Sequence, residues 1–227
     1  MNVSVIIPAL NEAESLGRLL AETKLTEAQQ VIVVDNGSTD HTAEIARANG
    51  ALVVQEPRRG YGYACAAGVA VAKYDILAFM DADGSFVPAE LPRLVAPIEN
   101  QTAELVLGSR LNHGLPTETM PPHQLFGNRL IAWMLNRLFA LQLTDLGPFR
   151  ALPKDLLHTL DMSEFTYGWP VEMLVKVAKR GLRIVEIPVS YRPRFAGKSK
   201  VGGTLRGTIL ATYRICSVVF RYAILVI

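Results

Sequence analysis

Three short stretches of this sequence carry side chains able to do chemistry together. They are Asn11 and Glu12 after Pro8-Ala9-Leu10, Asp35 at the head of Asp35-Asn36-Gly37-Ser38-Thr39-Asp40, and the run Asp81-Ala82-Asp83-Gly84-Ser85. Asp81 and Asp83 stand two positions apart, and hard carboxylate oxygens in that pattern suit Mg²⁺ or Mn²⁺. A divalent cation there leaves positions open for phosphate oxygens and would act as a Lewis acid toward a departing diphosphate. Asp35 closes an apolar run, where its oxygens can accept from a base or a ribose; Ser38 and Thr39 behind it are residue types that cap helices. Arg58-Arg59-Gly60 opens a run of small residues and could set backbone N–H groups and the Arg59 guanidinium beside a diphosphate.

The elements between these stretches must bring them to one place. Strand patterns at Val3–Pro8, Val31–Asp35, Ala51–Gln55, Ile76–Met80 and Glu104–Gly108 alternate with helical patterns at 13–22, 42–48, 60–73 and 89–98. That alternation predicts an α/β fold: a Rossmann-like, mixed but mostly parallel sheet with helices on both faces. Ligands of such sheets sit beyond the carboxyl ends of the strands. Asn11, Glu12, Asp35, Asp81 and Asp83 all follow strand ends, so one crevice collects them.

The second half has a different texture. Residues 113–123 read as a Pro-rich loop, 125–141 as a long amphipathic helix, Thr144–Ala151 as a Gly-Pro turn, 171–179 as a helix, 183–191 as a strand and 192–203 as a basic loop. If the reaction needs a base, Glu172 in Tyr167-Gly168-Trp169-Pro170-Val171-Glu172 and Asp145 are the candidate carboxylates. The net charge of +2 is too small for a nucleic-acid partner, but basic residues gather late, from Arg180 to Arg221, and predict an anionic partner for that end. Half the residues are hydrophobic, enough for a substantial core. Cys65 and Cys216 read as buried thiols of a reducing compartment.

In order and spacing, Pro8-Ala9-Leu10-Asn11-Glu12, Val34-Asp35-Asn36-Gly37-Ser38-Thr39-Asp40 and Asp81-Ala82-Asp83-Gly84 resemble family 2 glycosyltransferases of the GT-A fold. The resemblance is strongest to the dolichol-phosphate mannosyltransferase and polyprenyl-phosphate glycosyltransferase branch. It runs from residue 3 to about residue 205 and extends to Gly108-Ser109-Arg110, Thr144–Ala151 and Arg194–Lys200. It implies an inverting transfer from a nucleoside-diphosphate sugar. Pro8, Ala9, Asn11, Glu12, Asp35, Asn36, Arg59, Asp81 and Ala82 would line the nucleotide-sugar site, and Asp81, Asp83 and Ser85 would hold the metal. Asp83 would be catalytic, together with Glu172 or Asp145 as base. Arg110, Arg129, Arg150, Arg194, Lys198 and Lys200 would meet the acceptor or the diphosphate. Three positions depart from the branch: Asn36 replaces a second Asp, Ser85 replaces a Gln, and Pro148 replaces a Ser.

The implied partners are a polyprenyl phosphate, a membrane surface and a second copy of the chain in a homo-oligomer. The same chemistry on a soluble hydroxyl acceptor, or sugar-nucleotide binding without turnover, are the alternatives. The expected organisation is a catalytic domain over 1–203, with a nucleotide-sugar half at 1–110 and an acceptor half at 111–203. A helix over 204–227 follows. Arg206, Arg214 and Arg221 fall at about 0°, 80° and 60° around that helix, one basic stripe on an apolar cylinder. It is expected to lie along the cytoplasmic face of a membrane or to dock on the domain or a partner subunit, and no uncharged run reaches the roughly 18 residues of a span. The opening residues run straight into a strand and predict no secretory leader.

Overall fold

The computed structural model describes residues 2–24, 30–111, 120–197 and 205–224, with the backbone alone for 205–210. Its strands are β1 (Val3–Ala9), β2 (Gln30–Asp35), β3 (Leu52–Gln55), β4 (Ile76–Phe79), β5 (Leu105–Ser109), β6 (Arg150–Pro153) and β7 (Ile184–Pro188). Its helices are α1 (Ala13–Thr23), α2 (Thr42–Ala48), α3 (Tyr61–Ala70), α4 (Leu91–Glu99), α5 (Pro122–Phe139), α6 (Lys154–Thr159), α7 (Trp169–Lys179) and α8 (Leu205–Ile224). One seven-stranded sheet has the order β3-β2-β1-β4-β6-β5-β7. It is parallel except for β6, which runs antiparallel to both β4 and β5.

The strands alternate as buried strands must, with successive side chains on opposite faces. Ile6, Ile32, Val34, Leu77, Phe79, Leu105 and Leu107 face a core closed by α3, α5, α7 and α8. Val5, Ile7, Val33, Ala78, Met80 and Val106 face a second core closed by α1, α2 and α4. Strand order reverses at β1, whose neighbours are β2 on one side and β4 on the other. A crevice opens at such a switch point, beyond the strand ends.

Two elements differ from the sequence reading. The stretch expected as a turn over Thr144–Ala151 leads into β6, which the flanking strands recruit by backbone pairing; four residues of Arg-Ala-Leu-Pro carry too little periodicity to announce a strand. α6 follows it without a break. The C-terminal helix docks on the domain: Ala211, Val218, Val219 and Tyr222 are buried against α5 and α7, while Tyr213, Arg214, Phe220, Arg221 and Ile224 stay exposed. Among the described residues no helix is long and apolar enough to cross a membrane. Cys65 is buried and Cys216 partly buried, and both are free thiols.

The docking has a polar centre. Glu172, fully buried in the first turn of α7, accepts from the Tyr222 hydroxyl at 2.6 Å, the Ser163 hydroxyl at 2.7 Å and the backbone N–H of Glu164 at 2.7 Å. Lys176 adds an ion pair at 2.9 Å. Burial raises its pKa, but these donors outweigh burial and bring it down to about 2. A carboxyl whose folded pKa lies below its unfolded value stabilises the fold above the unfolded pKa, near 4.5. That contribution is lost as pH falls toward 2. Tyr222→Phe should cost about 1–3 kcal/mol by removing one donor to a buried charge, and should shrink the acid-stable window. Urea melts at pH 7 and pH 3 check this; equal melts for both proteins at pH 7 would show that the hydroxyl does not anchor α8.

Candidate active site

The donor-side wall is built from the ends of β1 and β2. Ala9 pairs in register with Asp35, and the Asn36 N–H donates to the Ala9 carbonyl at 2.9 Å. The turn after each strand is locked by the other. Asn11, held at φ +50°, accepts from the Thr39 N–H at 2.7 Å and donates its own N–H to the Ser38 hydroxyl at 2.9 Å. The Glu12 N–H donates to Thr42 at 2.9 Å, and the Ala13 N–H donates to Asp40 at 3.2 Å. Asp40 and Thr42 therefore cap α1 from the neighbouring unit, a role the sequence reading did not assign; the Asp closing the 34–40 motif was its only trace. Asp35 is buried, and one of its oxygens accepts from the Ser38 N–H at 2.8 Å.

Asn36 was expected at the nucleotide, but its side chain works as a clamp on the next turn. Its amide nitrogen donates to the carbonyls of Glu56 at 2.9 Å and Arg58 at 2.7 Å, and its oxygen accepts from the Gly60 N–H at 3.0 Å. Only an amide can donate twice and accept once there. The backbone of this turn is held by the protein itself: the Arg58 N–H goes to Glu56, and Tyr63 donates to the Phe165 carbonyl. Phe165 lies so close that a Cβ on Gly60 or Gly62 would sit 2.5–2.6 Å from its backbone. The Arg58, Gly60 and Tyr63 N–H groups are thus already engaged within the protein. Arg58 forms a two-pronged pair with Glu56, whose pKa that hydrogen bonding holds near 2. Arg59 is left exposed, its guanidinium resting over Gly37.

Asp81 and Asp83 leave the end of β4 at the switch point. Asp83 accepts from the Ser85 N–H at 2.9 Å and pairs with Arg194 at 3.0 Å, while Arg194 also reaches Glu12 at 2.8 Å. The pKa of Asp81 is pushed up to about 7, first by burial and then by the negative charge of Asp83. Arg110 and Arg194 pull it back only in part. The buried Ser85 hydroxyl, two residues along the chain from Asp83, is the one buried side-chain polar atom without a hydrogen-bond partner among the described residues. Crowded carboxylates beside an unpartnered hydroxyl are a donor set that fits a hard divalent cation. No group of three or more His, Cys, Asp or Glu is placed to hold a metal among the described residues, so the protein would offer this short set and leave the rest to phosphate or water.

The segment expected as a basic loop is tied down where it begins, from Tyr191 to Phe195. Tyr191 bridges to Phe86, the Arg192 N–H donates to Ser85, and the Phe195 N–H donates to the Asp83 carbonyl. Phe195 lies on Gly84, where a Cβ would collide with its ring at 2.2 Å, and the Arg18 and Arg192 guanidiniums cover it. The anchor is an aromatic residue that a count of charges overlooked. Lys198 and Lys200 lie outside the described residues.

On the acceptor side, Arg110 is buried and forms a two-pronged pair with Asp145, both contacts at 2.7 Å. Burial lowers the Arg110 pKa, but the Asp145 charge overrides it and the guanidinium is held cationic. Its charge is felt at Asp81, and it lies over the Tyr191 ring. Asp145 is wholly enclosed and also accepts from the Arg110 and Leu146 N–H groups. It positions Arg110 and is not free to take a proton. Glu172 is likewise engaged, deep under α8. Arg150 was expected at the acceptor but is fully buried, donating to the carbonyls of Gly147, Leu146 and Pro170. It fastens the 144–149 loop to α7. Trp169 packs on Phe79 and Tyr61 in the core. Arg129 is exposed on α5 and borders a groove of about 380 Å³ with Leu111, Trp133, Asn136 and Thr144.

The model of a family described as Glycosyl transferase family 2 matches residues 4–158. An uncharacterized glycosyltransferase of Mycobacterium tuberculosis is 43% identical over 92% of this chain and 94% of its own length. An undecaprenyl-phosphate mannosyltransferase of Micrococcus luteus is 34% identical over 91% of this chain and 90% of its own. Glucosyl-3-phosphoglycerate synthase from Mycobacterium tuberculosis, crystallised with Mn²⁺, UDP and phosphoglyceric acid, superposes over all of this chain and 80% of its own. The TM-score is 0.78 at 23% identity.

Asn36→Asp would set a carboxylate against two carbonyl oxygens. It should destabilise the protein by about 1–3 kcal/mol and loosen the 56–60 turn. Trypsin should then cut after Arg58 or Arg59 several times faster than in the wild type; unchanged cleavage and melting would show that the clamp carries no weight.

Proposed function

We infer the reaction from one premise: the chain belongs to glycosyl transferase family 2. It is a glycosyltransferase that uses a nucleotide sugar. The proposal is that it inverts the anomeric carbon in one displacement and hands the sugar to a polyprenyl phosphate, working peripherally at the cytoplasmic face of a membrane. Pro8, Ala9, Asn11, Glu12 and Asp35 line the nucleotide side of the crevice, with Asp81 and Ala82 at its floor. Asn36 holds the 56–60 turn so that Arg59 overhangs it. Asp81, Asp83 and Ser85 would hold Mg²⁺ or Mn²⁺. Such an ion, when bound, neutralises the diphosphate as it leaves. Arg194, which bridges Glu12 and Asp83, stands ready to add its own charge to the departing group.

The observation that carries the acceptor is the state of the two expected bases. Asp145 and Glu172 are both buried and ion-paired, and neither is offered to an incoming hydroxyl. A phosphate acceptor is already nucleophilic at neutral pH and needs no such base. Arg110, fixed by Asp145 within the field of Asp81, is placed to steer that phosphate, and Arg129 borders the groove that begins at the next residue, Leu111. The Micrococcus luteus relative is named for an undecaprenyl-phosphate acceptor, which supports this reading. The fold neighbour crystallised with phosphoglyceric acid keeps a soluble acceptor in view, and that acceptor too carries a phosphate.

Two measurements test the proposal. Transfer should stop in EDTA, return with Mn²⁺ or Mg²⁺, and fall by at least 100-fold in Asp83→Asn with melting unchanged; activity that persists in EDTA removes the metal. With UDP- and GDP-sugars screened as donors, a short polyprenyl phosphate should accept sugar while the matching polyprenol does not. Comparable transfer to the alcohol would bring back the hydroxyl acceptor and a base still to be found.

A further inference from the structure

Helices α5 and α8 pack side by side, and neither contains an acidic residue, in a chain that carries 21. Their outer surfaces are unusual for helices turned to water. On α5, Phe126, Arg129, Leu130, Trp133 and Arg137 are all exposed and fall within about 100° of arc. On α8, Tyr213, Phe220 and Ile224 form a second exposed row within about 40°, and Arg214 and Arg221 flank it on one side. Exposures of 69% at Phe126, 63% at Trp133 and 67% at Tyr213 are large for aromatic side chains of a helix that water alone surrounds.

We propose that the paired outer faces of α5 and α8 form one docking surface for an anionic lipid bilayer. Aromatic rings and leucine enter the boundary between head groups and acyl chains, while arginines remain at head-group level. The lack of any acid on either helix gives the surface one sign of charge, complementary to anionic lipids. The same uniformity disfavours a second copy as occupant, because a symmetric contact would set arginine rows against each other. The surface also has an internal continuation. Trp133 belongs both to the exposed row and to the groove that Arg129, Leu111 and Thr144 line, next in sequence to Arg110. A lipid phosphate lifted from the bilayer would therefore enter along α5 toward the crevice. Bilayer docking deepens the peripheral membrane reading proposed above, and only the lipid path rests on the proposed acceptor.

The test uses the full chain with sedimented or floated vesicles. At low salt it should bind vesicles of phosphatidylglycerol and phosphatidylcholine at least tenfold better than vesicles of phosphatidylcholine alone. The triple variant Arg137→Glu, Arg214→Glu, Arg221→Glu should lose at least tenfold of that binding. Its transfer to a water-soluble, short-chain polyprenyl phosphate should stay within twofold of the wild type. Tyr213→Ser with Phe220→Ser gives the same vesicle readout with the charges intact, should the triple variant fold poorly. Wild-type protein that ignores anionic vesicles, or variants that bind them as the wild type does, would overturn the docking surface. So would a wild-type dimer in light scattering that the triple variant abolishes without any vesicle binding. Charge-dependent vesicle binding without transfer to any polyprenyl phosphate would leave the surface standing and remove the acceptor.

Discussion

Negative charge gathered at one strand switch point is the constraint around which the rest of this molecule is arranged. Glu12, Asp81 and Asp83 come from two adjacent strand ends, and burial together with their mutual repulsion pushes the Asp81 pKa well above the usual carboxylate range. The protein supplies two cations from the opposite side, and neither is given wholly to one of these acids. Arg194 divides itself between Glu12 and Asp83, and Arg110 is bound to Asp145. The charge is therefore tempered and not cancelled, which is what a crevice for a cation and a diphosphate requires.

Buried charge serves a second purpose away from the crevice. Arg150, Asp145 and Glu172 each sit in the interior with several hydrogen bonds, and each joins segments distant in sequence. A buried ion pair seldom adds much net stability over an apolar substitute, but breaking one partner is costly. Such groups admit one arrangement of their neighbours. Arg150 pins the 144–149 loop to α7, Asp145 orients Arg110, and Glu172 receives α8 through Tyr222. Glu172 also accepts from the residues leading to Phe165, whose backbone braces the Gly60 turn. The C-terminal helix and the donor-side turn are thus linked through one carboxylate.

The placement of Phe195 shows how the two halves meet. The 191–195 segment is laced to 83–86 by backbone hydrogen bonds, so the basic loop and the metal-side loop form one layer. Gly84 is needed because a ring lies where any side chain would go. The arginines above that ring, Arg18 and Arg192, both pair with Glu22 of α1, which fixes them over Phe195.

The sequence by itself determined the alternating strands and helices, and with them the parallel half of the sheet and the convergence of Asn11, Glu12, Asp35, Asp81 and Asp83. Period-two burial and strand-end chemistry are local properties, and they are visible in any short window. It did not determine β6, whose four residues become a strand only because β4 and β5 present unpaired backbone on either side. Nor did it determine the duties of the polar side chains. Asn36, Asp145, Arg150 and Glu172 all read as ligands or bases, since residue type and motif position are the same whether a group faces the crevice or the core. Tertiary structure decided between those fates, because burial and the partners across 20 to 50 residues of chain fix which carboxylate or guanidinium is left to act.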